Sequence, residues 1–165
     1  MAAIDLVVLG MIKKQPLSAY DIQKLVEYRN ISKWVKISTP SIYKKVIQLE
    51  EKGYIRSSSV KEGKMPEKAV YSLTDAGEEK FECLMHEIAS QPIHFFLDFN
   101  AVIVNLSSLS PESQRSCLDS IEENVKTLKA YLEENIREKE TAPSIPQTGM
   151  AVLQQQYALK HGLLR

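Results

Sequence analysis

The chain has 165 residues, of which 44% are hydrophobic and 25% are charged, with 21 Lys and Arg against 21 Asp and Glu. These values are typical of a folded globular protein and exclude wholesale disorder, and six glycines and seven prolines exclude a collagen-like or low-complexity chain. Two cysteines, Cys83 and Cys117, cannot form a disulfide framework. They indicate a reducing compartment, so the composition predicts a cytoplasmic protein.

The zero net charge conceals an uneven distribution along the chain. Residues 1–80 carry 14 Lys and Arg against 10 Asp and Glu, a net charge of +4, whereas residues 81–165 carry 7 against 11, a net charge of −4. Within residues 12–70 the balance is 13 against 6, or +7. This asymmetry indicates a first half that faces a polyanion, although a basic stretch is more often simply a solvated surface.

Two apolar stretches resemble targeting or membrane segments only superficially. Residues 6–12 follow Asp5 and lack the basic residues that precede the apolar core of a signal sequence. Residues 93–106 are interrupted by polar side chains such as His94 and Asp98, and they fall short of the roughly 20 residues that cross a bilayer. We therefore expect no membrane segment, and we interpret residues 93–106 as a buried helix.

Hydrophobic periodicity predicts two short helices at the start of the chain. Residues 2–14 carry apolar side chains at helical spacing, and Pro16 then interrupts the pattern. Ser18 can cap a second helix, and Asp21 lies three residues later, where a carboxylate favours the helix N-terminus. This second helix should end near Asn30.

The third helix has clear start and stop signals. Ser38 or Thr39 offers a capping hydroxyl, Pro40 suits the first helical position, and Gly53 ends the helix. The apolar residues of one face are Ile42, Val46 and Leu49, and the polar residues of the opposite face are Ser41, Lys44, Lys45 and Gln48. Because the first carboxylate of this helix is Glu50, at its far end, the polar face suits insertion into a DNA major groove.

After Gly53 the apolar period changes from that of a helix to that of strands. Residues 54–60 and 69–73 read as two strands, joined by a turn-rich tip that contains Lys61, Lys64 and Lys68. Thr74 then begins another helix. Three short helices followed by a basic-tipped hairpin predict a winged helix-turn-helix, in which the wing lies along phosphates.

Short motifs in this half are similar to those of PadR-like transcriptional regulators. The matching strings are Leu9-Gly10, Pro16-Leu17-Ser18-Ala19-Tyr20-Asp21-Ile22, Ser41-Ile42-Tyr43, Leu49-Glu50-x-x-Gly53-Tyr54-Ile55 and Gly63-Lys64-x-Pro66-x-Lys68-x-Val70-Tyr71-Ser72-Leu73-Thr74-x-x-Gly77. The resemblance covers roughly residues 4–84. It implies a dimeric winged-helix repressor or activator with a variable C-terminal helical region, which mediates dimerisation and, in some members, responds to a ligand.

The second half has the pattern of a helical dimerisation region. A helix should run from Asp75 toward Ser90, and Ser110 with Pro111 should begin a long helix over about 111–140. Its apolar stripe is spaced alternately by three and four residues, a heptad seam made of Leu118, Ile121, Val125, Leu128 and Leu132 and continued by Asn135. We expect this seam to pack against a second copy, although short heptad runs also occur in intramolecular bundles. A linker over 141–149 and a last helix over 150–164 should follow; PadR-like chains often continue further, so a short last helix would weaken the dimer.

No catalytic or metal-binding motif is apparent. His86, His94 and His161 are never four residues apart, and neither paired-cysteine spacing nor a glycine-rich phosphate loop occurs. We therefore expect a protein that is not an enzyme and that holds no metal or cofactor. Cys83 and Cys117 are interpreted as reduced core or interface residues, with a thiol sensor as the alternative.

Several aromatic residues allow two interpretations. Tyr43 could contact a phosphate or pack under Tyr20, and Trp34 could pack in its connector or stack on a ligand. A group of three phenylalanines, Phe95, Phe96 and Phe99, could line the pocket of a small-molecule effector or belong to the core.

The sequence thus predicts a mainly α-helical protein with a winged helix-turn-helix domain at 1–80 and a helical dimerisation region at 81–165. It would act as a homodimeric regulator on double-stranded DNA with a two-fold operator. The predicted DNA contacts are Ser38, Thr39, Ser41, Tyr43, Lys44, Lys45, Gln48, Lys61, Lys64 and Lys68. The alternative is a winged-helix module that binds proteins and does not touch DNA.

Overall fold

The computed structural model describes residues 2–33, 35, 37, 39–61, 67–94, 96–141 and 146–162, with the backbone alone at 39, 40, 160 and 161. The chain divides into two compact units, residues 1–93 and residues 94–165. The elements of the first unit are α1 (Ala2–Lys14), α2 (Ala19–Tyr28), a 3-10 turn (Ile31–Lys33), α3 (Thr39–Glu51), β1 (Ile55–Val60), β2 (Lys68–Leu73) and α4 (Asp75–Ala89). Three helices, a two-stranded antiparallel hairpin and a further helix confirm the predicted winged-helix architecture.

Local capping signals determine where these helices begin and end. The Ser18 hydroxyl accepts a hydrogen bond from the Asp21 amide, and the Asp21 carboxylate accepts one from the Ser18 amide, so the two residues form a reciprocal capping box on α2. Asn30, two residues beyond α2, has a φ of 52°. Gly53 has a φ of 74°, a left-handed conformation that glycine adopts without strain, and it ends α3 as predicted.

The hydrophobic core cluster of the described residues lies in the first unit. Fifteen buried side chains form one cluster, contributed by the four helices, by β1 and by the connecting segments: Ile4, Val8, Leu9, Met11, Ile12, Leu17, Ile22, Val26, Ile31, Ile37, Ile42, Val46, Leu49, Ile55 and Leu84. Leu84 belongs to α4, which packs on α1, where Lys13 also forms an ion pair with Glu78. Because α4 closes this core, the first compact unit extends to Ile93, beyond the boundary at residue 80 that the sequence suggested.

The hairpin is fixed to the helices at its base. β1 and β2 pair from Ile55 opposite Leu73 to Val60 opposite Lys68. On the other side of β2, Leu17 and Tyr71 exchange two backbone hydrogen bonds of 3.2 and 2.9 Å.

The exit from the hairpin depends on a close backbone approach. The Thr74 hydroxyl donates to the Gly53 carbonyl at 2.6 Å and accepts from the Gly77 amide at 3.1 Å. A Cβ atom at Gly77 would lie 1.9 Å from the Tyr54 carbonyl oxygen, so only glycine fits at this position. This contact explains the physical role of the Thr74-x-x-Gly77 motif.

The second unit contains α5 (Asn100–Asn105), a 3-10 turn (Leu106–Ser108), α6 (Pro111–Glu140) and α7 (Gln147–His161). The long helix α6 has the predicted bounds, and its N-cap is Ser110, whose hydroxyl accepts from the Ser113 amide at 3.3 Å. The last helix begins three residues earlier than predicted. The Pro146 carbonyl accepts hydrogen bonds from the amides of Gly149 and Met150, so residues assigned to the linker form the first helical turn.

The prediction of one buried helix over residues 93–106 is wrong. Of the described residues in this segment, those that are α-helical are Asn100–Asn105, and Ile93 and Phe96 are 96% and 84% exposed. Pro92 and the polar residues within the segment interrupt the helix, and apolar composition alone does not supply a covering surface. The segment therefore presents apolar side chains to solvent in the single chain.

The predicted seam on α6 contains both buried and exposed residues. Val125, Leu132 and Asn135 are buried, and α7 packs along α6 within the same chain. Tyr157 of α7 donates to Glu133 at 2.8 Å, which places α7 against the second half of α6. The remaining seam residues are exposed or half-buried: Leu118, Ile121 and Leu128.

Within the part of the chain that the structure describes, no helix is both long and apolar enough to cross a membrane.

Candidate nucleic-acid interface

Helix α3 presents one apolar and one polar face, and the core fixes their orientation. Ile42, Val46 and Leu49 are buried in the core, as predicted. Tyr43 and Lys44 point to solvent on the other side. Among the described residues, no carboxylate lies within ion-pair distance of Lys44. The first turns of α3 therefore expose a cation and a phenol with no acid on the same helix before Glu50.

Lys45 differs from the expectation. Its ammonium lies 2.7 Å from Oδ1 of Asp5 on α1, and the two side chains are only 13% and 17% exposed. The contact is an ion pair that joins α1 to α3 in a largely dry environment. Lys45 is therefore largely buried and paired within the chain, and its contact with DNA stays a prediction.

The remaining predicted DNA contacts on and before α3 differ in exposure and in how far they are described. Ser41 and Gln48 are half-buried at the border of the exposed face. Thr39 is the first residue of the helix, where its backbone alone is described, and Ser38 lies outside the described residues. Ile47, which the sequence analysis did not single out, is 54% exposed.

The lysines of the wing differ in exposure and in their contacts. Lys61 is exposed at the end of β1, and Lys64 lies outside the described residues. Lys68 is half-buried at the start of β2, with its Nζ 4.0 Å from the Asp21 carboxylate. The Ser18 hydroxyl, which donates to that carboxylate at 2.6 Å, lowers the pKa of Asp21 against the opposing effect of partial burial, and Lys68 contributes a smaller lowering.

Helix α2 adds an exposed row that the sequence analysis missed. Tyr20, Lys24 and Tyr28 are spaced by four residues, and both tyrosines are exposed. The Lys24 ammonium lies 5.4 Å from the centre of the Tyr20 ring and 3.3 Å from Glu27, whose hydrogen bond raises the pKa of Lys24. The regular four-residue spacing on the polar side of α2 was the signal that could have identified this row.

Glu50 is directed away from the candidate interface. Its carboxylate accepts a hydrogen bond of 3.0 Å from the Ser57 amide of β1, which ties the last turn of α3 to the hairpin. Burial raises the pKa of Tyr71 on β2, and the Glu50 charge adds to that increase. Glu50 at the end of α3 therefore interacts with the hairpin, through a hydrogen bond to β1 and through its charge near Tyr71.

The arrangement is suited to binding and shows no feature of a metal centre. No group of three His, Cys, Asp or Glu side chains that could hold a metal occurs among the described residues. Of the phenylalanines that could line an effector pocket, Phe96 is stacked on His94 in solvent, Phe99 is half-buried, and Phe95 lies outside the described residues. Trp34 lies outside them as well. Cys83 is exposed and Cys117 half-buried, so neither is a fully buried core residue within one chain.

Comparisons with known proteins agree with the winged-helix architecture. Residues 8–83 match the model of the transcriptional regulator PadR-like family. No curated protein sequence matches the chain.

Solved structures resemble the chain over nearly its whole length. Bacillus subtilis PadR in complex with operator DNA has a TM-score of 0.80 at 23% identity, over 98% of this chain and 93% of that one. The same protein in complex with p-coumaric acid has a TM-score of 0.81 at 23% identity, over 98% and 92%. The Vibrio cholerae virulence activator AphA has a TM-score of 0.71 at 21% identity, over 98% and 91%.

The family match and the structural matches support each other. The matched residues run from α1 into α4, so they include the three helices, the hairpin and the Thr74-x-x-Gly77 exit. The structural matches extend the same fold through the C-terminal helices. Residues 8–83 of this chain thus match the PadR-like family of transcriptional regulators, and the chain as a whole shares the fold of the solved PadR structures.

Proposed function

We propose that the protein is a sequence-specific DNA-binding transcriptional regulator that acts as a homodimer on a two-fold operator. Each copy would place α3 in a major groove, with half-sites one helical turn apart, roughly 34 Å. The observation that carries this proposal is the exposed pair Tyr43 and Lys44 on the acid-free first half of α3. Lysine donates hydrogen bonds to guanine edges or pairs with phosphates, and the exposed Lys44 ammonium can make either contact.

The wing and α2 supply the proposed phosphate contacts. Lys61 is exposed beside the tip that carries Lys64, and Lys68 begins the returning strand. Lys24 lies on the exposed row of α2, and the first helix of a helix-turn-helix crosses the DNA backbone. The fold shared with PadR bound to its operator supports this assignment.

Unpartnered apolar side chains of the second unit support the proposed homodimer. Ile103 and Val104 of α5 are exposed, as are Leu118 and Leu128 of α6. Exposed apolar side chains on these helices are the chemistry that a protein interface buries. We assign Leu118, Ile121 and Leu128 to the contact between two copies, whereas Val125 and Leu132 stabilise the packing of α6 within each chain.

The alternative is a winged-helix module that binds proteins. It is favoured by the zero net charge, by Glu67 exposed beside the wing, and by the ion pair that neutralises Lys45. A band-shift experiment on random duplex DNA at low salt separates the two functions, because only the regulator retards the duplex.

The decisive measurement is the salt dependence of affinity for DNA. If three or four cationic side chains of each copy contact phosphates, about 6 to 8 counterion equivalents are released, and log K should fall against log salt with a slope of about −5 to −7. A slope near zero would contradict direct DNA binding.

A charge reversal localises the interface. Lys44→Glu should abolish operator binding and leave the dimer intact, because Lys44 contacts no other part of the described chain through an ion pair. Lys126→Glu is the matched control, since Lys126 is also exposed but lies on α6, one position after Val125 and off the seam. Equal losses in the two variants would contradict the assignment.

A further inference from the structure

Ile47 is an exposed apolar side chain in the middle of the proposed DNA-reading helix. It is 54% exposed, although its neighbour Val46 is buried in the core. Single exposed apolar residues are common on protein surfaces, so exposure alone does not identify a function. The position of Ile47 on α3 is what distinguishes it.

The helical geometry places Ile47 beside the residues proposed to contact DNA. It follows Tyr43 by four residues and Lys44 by three, and residues at these spacings are neighbours on one helix face. Side chains of a helix lean toward its N-terminus, so Ile47 covers the turn that carries Tyr43 and Lys44. All three are exposed on the side opposite Ile42 and Leu49.

The major groove offers one apolar group to such a side chain. Thymine presents a C5-methyl group there, whereas cytosine, guanine and adenine present only hydrogen-bonding groups and a bare ring edge. An isoleucine cannot form a hydrogen bond with a base, so its contribution to selectivity is apolar contact with that methyl group.

We infer that Ile47 is a specificity-determining residue, which selects a thymine in each half-site by contact with its C5-methyl group. This inference rests on the proposed function, since it requires α3 to lie in the major groove. It assigns sequence selection to an apolar residue beside Lys44, whose ammonium contributes affinity and hydrogen bonding.

The test removes the methyl group from the DNA. Duplexes recovered by selection from random DNA with the full-length protein are resynthesised with deoxyuridine in place of each thymine in turn, which deletes the methyl group and keeps every hydrogen-bonding group. The loss of one buried methyl contact should weaken binding about fourfold when it occurs in one half-site and roughly 15-fold when it occurs in both. Fluorescence anisotropy at one salt concentration measures these ratios.

Protein variants then test whether Ile47 is the side chain that senses the thymine methyl group. Ile47→Ala should bind the thymine and deoxyuridine duplexes equally, because the side chain that senses the methyl group is gone. Met85→Ala is the matched control, since Met85 is 50% exposed on α4, away from α3, and this variant should retain the discrimination of the unsubstituted protein.

The possible results are distinct. If no thymine position discriminates, or if Ile47→Ala still discriminates as the unsubstituted protein does, the inference is overturned while DNA binding stands. If the full-length protein binds no duplex at any salt concentration, the proposed function itself fails, and the inference fails with it.

Discussion

The two units of this chain differ in how completely they bury their apolar residues. Residues 1–93 enclose fifteen hydrophobic side chains in one cluster, whereas among the described residues of 94–165 only Val125 and Leu132 are buried hydrophobic residues. The second unit instead exposes Phe96, Val104 and Leu118. The first unit therefore has a continuous hydrophobic core, whereas the second leaves apolar side chains exposed to solvent, as expected of the proposed dimer surface.

The largest expected effect is on the closed core of the first unit. Gly77→Ala would place a methyl group 1.9 Å from the Tyr54 carbonyl oxygen, and backbone atoms cannot yield as a flexible side chain does. We expect the free energy of unfolding to fall by about 3–5 kcal/mol, measured by urea denaturation. Gly162→Ala is the control, because a Cβ atom there would meet no non-neighbouring atom of the described residues within 4 Å; equal losses in both variants would contradict the proposed close approach.

The next effect concerns the open surface of the second unit. Leu128→Asp or Leu118→Asp introduces a carboxylate on the apolar surface assigned to the dimer, and burying that charge should weaken dimerisation by about a hundredfold or more. Sedimentation at micromolar concentration should then give monomers. Ser120→Asp, which adds the same charge on α6 off the seam, should leave the dimer intact. An unchanged mass for both leucine variants would refute the assignment.

Two adjacent lysines of α3 provide a third test. Lys45→Gln leaves the Asp5 carboxylate without its partner in a largely dry site, so the first unit should lose about 1–3 kcal/mol of stability. Lys44→Gln, at an exposed position, should change stability by less than about 0.5 kcal/mol and weaken DNA binding instead. Thermal denaturation and anisotropy measured on both variants separate the two roles. A reversed pattern would place Lys45 in the DNA interface.

The smallest effect is on the cap of α2. The folded-state pKa of Asp21 is lowered by the Ser18 hydroxyl, so its contribution to stability is present above its ordinary pKa of 3.8 and is lost as the pH falls through the lower folded value. Asp21→Asn should therefore destabilise the protein by about 0.5–1 kcal/mol at pH 7 and by less below pH 3. Thermal denaturation at both pH values measures the difference. A loss that does not depend on pH would show that the charge is unimportant.

The sequence predicted the features whose causes are local. The start of α2 at its Ser18 cap, the end of α3 at Gly53 and the start of α6 at Ser110 each depend on residues within a few positions of one another. Periodicity likewise placed Ile42 and Leu49 in the core. Such features can be read without knowing the rest of the fold.

The features that escaped prediction depend on distant partners. Lys45 forms an ion pair with Asp5, and the packing of α1 on α3 is what brings these two distant residues together. Val125 and Leu132 are buried in a chain whose α7 packs on α6, and a heptad pattern does not show whether its seam is covered by the same chain or by another. Ile93 has an apolar side chain but no surface to cover it in one copy.

The bond between Glu50 and Ser57 has a consequence for how operators of different length would be accommodated. It fastens the end of α3 to β1, while the backbone pair of Leu17 and Tyr71 fastens the start of α2 to β2. In the proposed complex, neither helix can then slide along the groove without carrying the hairpin with it. If a base pair were inserted or deleted between the half-sites, each winged-helix unit would keep its shape. The change in spacing would then be accommodated at the contact between the two copies or by bending of the DNA.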